Sequence, residues 1–142
     1  MTPPADPASQ LLRKGRVTLA ALLAFGLLLI LPAYALSRLT DRVDWRLLAA
    51  LPVAVSLFTY LAYRSDKRCA EAGEWRIPES TLHFSELIGG WPGAFLAQRM
   101  FRHKISKASY QFTFWFIILA HQFVALDFLL GWRIASSVLK LF

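Results

Sequence analysis

The sequence predicts an all-α membrane protein: three transmembrane helices plus a Gly/Pro-broken segment that is either re-entrant or a fourth membrane helix. Three observations carry this. Hydrophobic residues make up 56% of the 142 residues and mean hydropathy is +0.44, against the ~45–50% apolar share of soluble domains. The apolar residues come in blocks free of Asp, Glu, Lys and Arg: Val17–Leu36, Leu47–Tyr63 and Ala108–Leu126. Each is near the ~20 residues that cross a ~30 Å hydrocarbon core. Finally, GGWPG, Gly89 to Gly93, interrupts a shorter apolar stretch.

In chain order, residues 1–16 are polar, Pro-rich and then basic (Arg13, Lys14, Arg16), which predicts a disordered basic N-terminus. Followed by an apolar run and Ala33-Tyr34-Ala35, they have the outline of a signal peptide. The run is long for that, and more spans follow. An uncleaved first helix with a cytoplasmic N-terminus is therefore expected. Arg38, Arg42 and Arg46 in the next loop run weakly against that orientation. The second helix leaves the membrane near Tyr63 and continues to Ala72, with Lys67 and Glu71 paired four residues apart and Gly73 as the stop. Arg64, Lys67, Arg68 and Arg76 make the following loop cytoplasmic. Trp75 suits the interface, and Pro78 suits the first turn of a new helix, with Glu79 at its positive end.

That new helix enters the GGWPG stretch. Between Glu86 and Arg99 lie 12 uncharged residues, a length more often re-entrant, interfacial or buried than spanning. Ser85, Gly89, Gly93 and Ala97 recur every four residues, a ridge on which another backbone can pack closely. Pro92 removes one hydrogen bond and pushes on the Ile88 carbonyl, so the break is expected there. A crossing would put Arg102, His103, Lys104 and Lys107 outside, against the charge rule; a return keeps both basic loops on one side. Re-entry is the preferred reading, and a four-helix bundle is the alternative.

The net charge is +7. In a soluble chain this would suggest nucleic acid; here basic loops that set topology and meet anionic headgroups are the stronger reading. Residues 1–16 carry no aromatic on which a base could stack, so nucleic acid is unlikely as a partner. Cys69 is the single cysteine, which excludes an intramolecular disulfide and a Cys-based zinc site. GxSxG, P-loop, HExxH and dinucleotide motifs are absent, and no cofactor is expected.

The ordered set Asp66-Lys67, Trp75-Arg76-Ile77-Pro78-Glu79, Gly89-Gly90-Trp91-Pro92-Gly93, and Arg102-His103-Lys104 with Lys107 resembles a small bacterial integral membrane domain, domain-of-unknown-function family 1294. The resemblance covers about residues 60–115. It implies a membrane protein of unassigned activity, and some relatives look like fusions to a cold-shock domain, which this chain lacks. Ile105 stands where the family often has Thr. The organisation is then 1–16, the basic N-terminus; 17–59, two membrane helices, the second ending near 63; 60–115, the family-like core; and 116–142, the rest of the last helix and a short tail.

The candidate headgroup- or partner-binding residues are Lys67, Arg76, Glu79, Arg102, His103, Lys104 and Lys107. Arg and Lys hold phosphate well; the bland alternatives are a topology anchor or pairing with Asp66, Glu79 or Glu86. Glu79, His83 and Glu86 share one helical face and are weak metal candidates, with no third nitrogen or sulfur ligand near in sequence, so no metal is expected. His121 and Asp127 are polar groups near or within the last span. His121 is read as a bond between helices, and Asp127 as lying near the interface. The functional expectation is an inner-membrane, multi-pass protein that binds membrane lipids or a partner protein, or forms a homo-oligomer. A membrane enzyme on a lipid-like substrate and an oligomeric transporter or channel are the alternatives.

Overall fold

A computed structural model describes residues 17–141. The expected disordered basic N-terminus, with Arg13, Lys14 and Arg16, lies outside the described residues. The described chain is helical, with no strand among the described residues. Helix α1 spans Leu19–Ser37 and α2 spans Trp45–Ala72; α3, Glu79–Ser85, leads through one wide π-helical turn, Glu86–Gly90, into α4, Trp91–Phe101. Helix α5 covers Ala108–Leu129 and α6 covers Arg133–Leu139.

Helices α1, α2 and α5 are the three long and apolar enough to cross a membrane. Their outer faces bear large exposed apolar side chains, among them Leu27, Leu51 and Phe112 at 70–76% exposure. Soluble monomers rarely show contiguous apolar patches beyond a few hundred Å², so the three helices suggest a multi-pass membrane protein.

Local chemistry fixes the ends. Thr18 caps α1 by accepting from the Ala21 N–H at 3.2 Å, and Asp44 caps α2 through the Arg46 N–H at 2.8 Å. Gly73 ends α2 in the left-handed conformation, φ 70°. Pro32 lies inside α1 and cannot donate to the Leu28 carbonyl. Gln122 of α5 supplies the missing donor, its Nε2 bonding to that carbonyl at 2.8 Å. In hydrocarbon a freed backbone carbonyl needs such a partner.

The α3–α4 segment packs chiefly on α2. Its break lies at Gly89, with φ 110° and ψ 5°, three residues before Pro92. Proline instead occupies the first turn of α4, where its missing N–H has no intrahelical role. The expectation of a kink at Pro92 is corrected accordingly. The reversal at Gly89 also divides the expected small-residue ridge. Ser85 lies before it, Gly93 and Ala97 after it, and a Cβ on Gly89 would meet nothing within 4 Å. The close approaches are at Gly93, whose added Cβ would stand 1.8 Å from the Ser56 carbonyl oxygen, and at Gly90, 2.0 Å from Thr59 Oγ1. The segment therefore descends to the middle of α2 and comes back: Lys104 and Lys107, just after it, both bond Glu79 at its start.

Candidate functional site

Two polar clusters join the hairpin to α2 and α5, one at its open end and one within. At the open end the chain must turn sharply after α4. Arg102 and Lys104 take left-handed φ values of 46° and 64°, which directs His103 and Lys104 back at α2. Asp66, buried on α2, accepts from His103 Nε2 at 2.6 Å and from the Ile77 N–H at 3.1 Å. Arg76 Nε lies 3.6 Å and Lys104 Nζ 3.7 Å from its carboxylate. Glu79 accepts from Lys104 and Lys107, each at 2.7 Å. These two hydrogen bonds hold the Glu79 carboxyl down at about 2. Burial pushes the His103 imidazole below its usual range, outweighing the opposing pull of Asp66. A neutral imidazole with its Nε2 proton toward Asp66 fits this geometry.

Of the sequence candidates, Arg76, Glu79, His103, Lys104 and Lys107 meet in this cluster. Lys67 does not: it pairs with Glu71 at 3.0 Å. Arg102 is exposed and forms no ion pair among the described residues. Glu79, His83 and Glu86 do not converge, since Glu79 is held by the two lysines.

Deeper in the hairpin, Glu86 is fully buried. Its Oε2 accepts from His83 Nδ1 at 2.7 Å. Its Oε1 accepts from Tyr63 Oη of α2 and from Tyr110 Oη of α5 at 3.0 Å, while the two hydroxyls lie 2.5 Å apart. The carboxylate oxygen and the two hydroxyls thus form a closed triangle of contacts. Gln98 Nε2 donates to Tyr63 Oη at 3.0 Å. Gln111 links Gln98 to the Lys104 carbonyl, at 2.6 and 3.1 Å, so the two clusters are continuous. The His83 ring stacks on Tyr110 at 4.1 Å between centroids. Every buried side-chain N and O among the described residues has a partner, as a low-dielectric site requires.

Sequence reasoning missed Tyr63, Gln98, Tyr110 and Gln111. A signal was present: Thr59, Tyr63 and Asp66, spaced four and three, form a polar stripe on α2 and are its buried residues. At the other end, Asp127 is buried and caps α6, accepting from the Ile134 and Ala135 N–H groups at 2.8 and 3.1 Å. His121 bonds its own helix, the Ile117 carbonyl, at 2.8 Å; the bond between helices comes from its neighbour Gln122.

The three long helices and the hairpin tip border an open-sided apolar chamber of about 1090 Å³, lined by Leu36, Leu48, Tyr60, Trp91, His121 and Phe128 among others. Its few polar groups give water little to bond.

A family model described as a protein of unknown function (DUF1294) matches residues 56–110. The uncharacterized protein YsdA of Bacillus subtilis (strain 168) is 33% identical over 66 residues, 46% of this chain and 74% of YsdA. No solved structure matches significantly. The span from Ser56 to Tyr110 holds both polar clusters except Gln111.

Proposed function

From the premise that the chain belongs to the DUF1294 family of proteins of unknown function, we propose a non-enzymatic, multi-pass inner-membrane component that binds an anionic lipid headgroup at the open end of the hairpin. The N-terminus and that open end face the cytoplasm in this reading. Residues 64–79 balance four bases against four acids, and residues 102–107 add three bases and no acid. The observation that carries the reading is that Asp66 and Glu79 are consumed in joining the hairpin ends, while Arg102 is left exposed and without a carboxylate partner among the described residues. Polybasic surfaces attract anionic lipid by about 1 kcal/mol per base.

Buried Lys104, with only 6% of its side chain exposed, holds the fold in this reading, and Arg102 and Lys107 meet the phosphate. The chamber lining includes neither Glu86 nor His83, which favours a structural network over an active site. The test neutralises Arg102 and Lys107 as Arg102→Gln/Lys107→Gln, leaving Lys104 intact, and quantifies co-purifying lipid and protein. Loss of anionic lipid is expected. Unchanged lipid would sink the reading, and loss of a bound protein instead would replace the headgroup with a partner.

A further inference from the structure

We propose that the apolar chamber is a second, separate lipid site: it seats one acyl chain of an anionic glycerophospholipid from the leaflet opposite the hairpin's open end, with the headgroup at Arg38, Arg42 and Arg46. The site is independent of the one at Arg102, because it lies beyond the hairpin tip and uses different residues.

Depth is the first argument. The hairpin's close approaches to α2 are at Ser56 and Thr59. The three-helix bundle is therefore filled by protein on one side of that level and left open on the other. Leu48 and Ser56, both lining the chamber, are eight residues apart, a rise of roughly 12 Å. Half of a hydrocarbon core is about 15 Å. The space beyond that level is most of one leaflet deep, within the reach of one acyl chain.

The lining is the second. Leu29, Leu36, Val53, Leu96, Val124 and Phe128 offer hydrocarbon. His121, a polar group in the lining, already has its Nδ1 bonded to Ile117.

Charge decides between a lipid and a second copy of the chain. Leu36, Leu39 and Leu48 bring the chamber to the α1–α2 connection and the first turn of α2, where Arg38, Arg42 and Arg46 are exposed. None of them forms an ion pair among the described residues. The same stretch holds Asp41 and Asp44, which leaves one base in excess of the acids, and Asp44 is engaged at the Arg46 N–H. Copies in one membrane share an orientation, so a second copy seated here would bring its own three arginines to the same level. A phospholipid brings a phosphate, with which Arg forms paired hydrogen bonds.

The test uses the full chain reconstituted in nanodiscs of mixed zwitterionic and anionic phospholipid, released into the gas phase for native mass spectrometry. One retained anionic phospholipid per chain is expected. Ala49→Phe, which fills the chamber, should lose it. Ala50→Phe, on the neighbouring face outside the lining, should keep it. Arg38→Gln/Arg42→Gln/Arg46→Gln lies outside the apolar core of the bundle and should shift the retained lipid from anionic to zwitterionic, which keeps the test open if Ala49→Phe fails to fold. Retention of the same lipid by Ala49→Phe, absence of lipid on the wild type, or a wild-type dimer abolished by Ala49→Phe would each overturn the proposal.

Discussion

Glu79 and Lys104, 25 residues apart in sequence, are joined at 2.7 Å, and this contact brings the two ends of the hairpin to the same level. The ammonium is almost buried while the carboxylate is about one-third exposed, so removing the carboxylate leaves a charge with only Asp66, at 3.7 Å. Glu79→Gln is expected to lower stability by about 1.5–3 kcal/mol, the worth of a hydrogen bond to a charged group. Arg102→Gln, with no ion-pair partner among the described residues to lose, should stay within about 0.5 kcal/mol. Unfolding of both variants in the same detergent checks the contrast.

Acid should weaken the same end in two steps. His103 is depressed in the folded chain, so below about pH 6.5 the unfolded chain takes up the proton more readily and stability falls. Glu79 is depressed to about 2 from 4.5; its contribution is complete above 4.5 and is lost as pH falls toward 2. A melting-temperature profile from pH 8 to 3 should show both declines. His103→Gln should remove the first and leave the second.

Gly93 and Gly89 answer to different physics. An added methyl at Gly93 collides with the Ser56 backbone, and α4 must move off α2. At Gly89 the space is open and only φ 110° resists. Gly93→Ala should cost about 3 kcal/mol or more, beyond ordinary overpacking of ~1–3 kcal/mol, because backbone cannot yield as a side chain does. Gly89→Ala should cost about 1–3 kcal/mol of backbone strain. Unfolding free energies that reverse this order would refute the assignment.

Gln122 and Pro32 should be coupled. Gln122→Leu strands the Leu28 carbonyl and is expected to cost about 0.6–1.7 kcal/mol. In a Pro32→Ala background the helix can bond that carbonyl itself, so the same change should cost less. A double-mutant cycle with no coupling would separate the two residues.

The hairpin also predicts sidedness. In a Cys69→Ser background, thiols introduced by Trp75→Cys and Lys107→Cys should label from the same face of intact cells, and one introduced by Thr40→Cys from the opposite face. Labelling of Trp75→Cys and Lys107→Cys from opposite faces would convert the hairpin into a crossing.

The long helices were legible because uncharged runs of membrane length have few other uses. The site was legible only where charge marked it: Asp66, Arg76, Glu79, His103 and Lys104 stand out in sequence, and pairing among them was one of the expected roles. Tyr63 and Tyr110 did not, because tyrosines at the ends of apolar runs look like interface anchors and their contact spans 47 residues. The sequence points to Pro92 for the break because proline is the strongest local breaker. Gly89 takes the reversal since a glycine tolerates φ 110°, and three residues later the proline begins a helix.

The buried network has a consequence for biosynthesis. Tyr63 leaves the ribosome before Glu86, but Tyr110 and Gln111 follow it, so the hairpin cannot complete its hydrogen bonds until the last long helix has begun to emerge. Until then Glu86 has only Tyr63 and His83, Gln98 has only Tyr63, and their remaining polar atoms favour water over hydrocarbon. The hairpin's entry into the bundle is thereby timed by translation: α2 offers the groove, and α5 closes it.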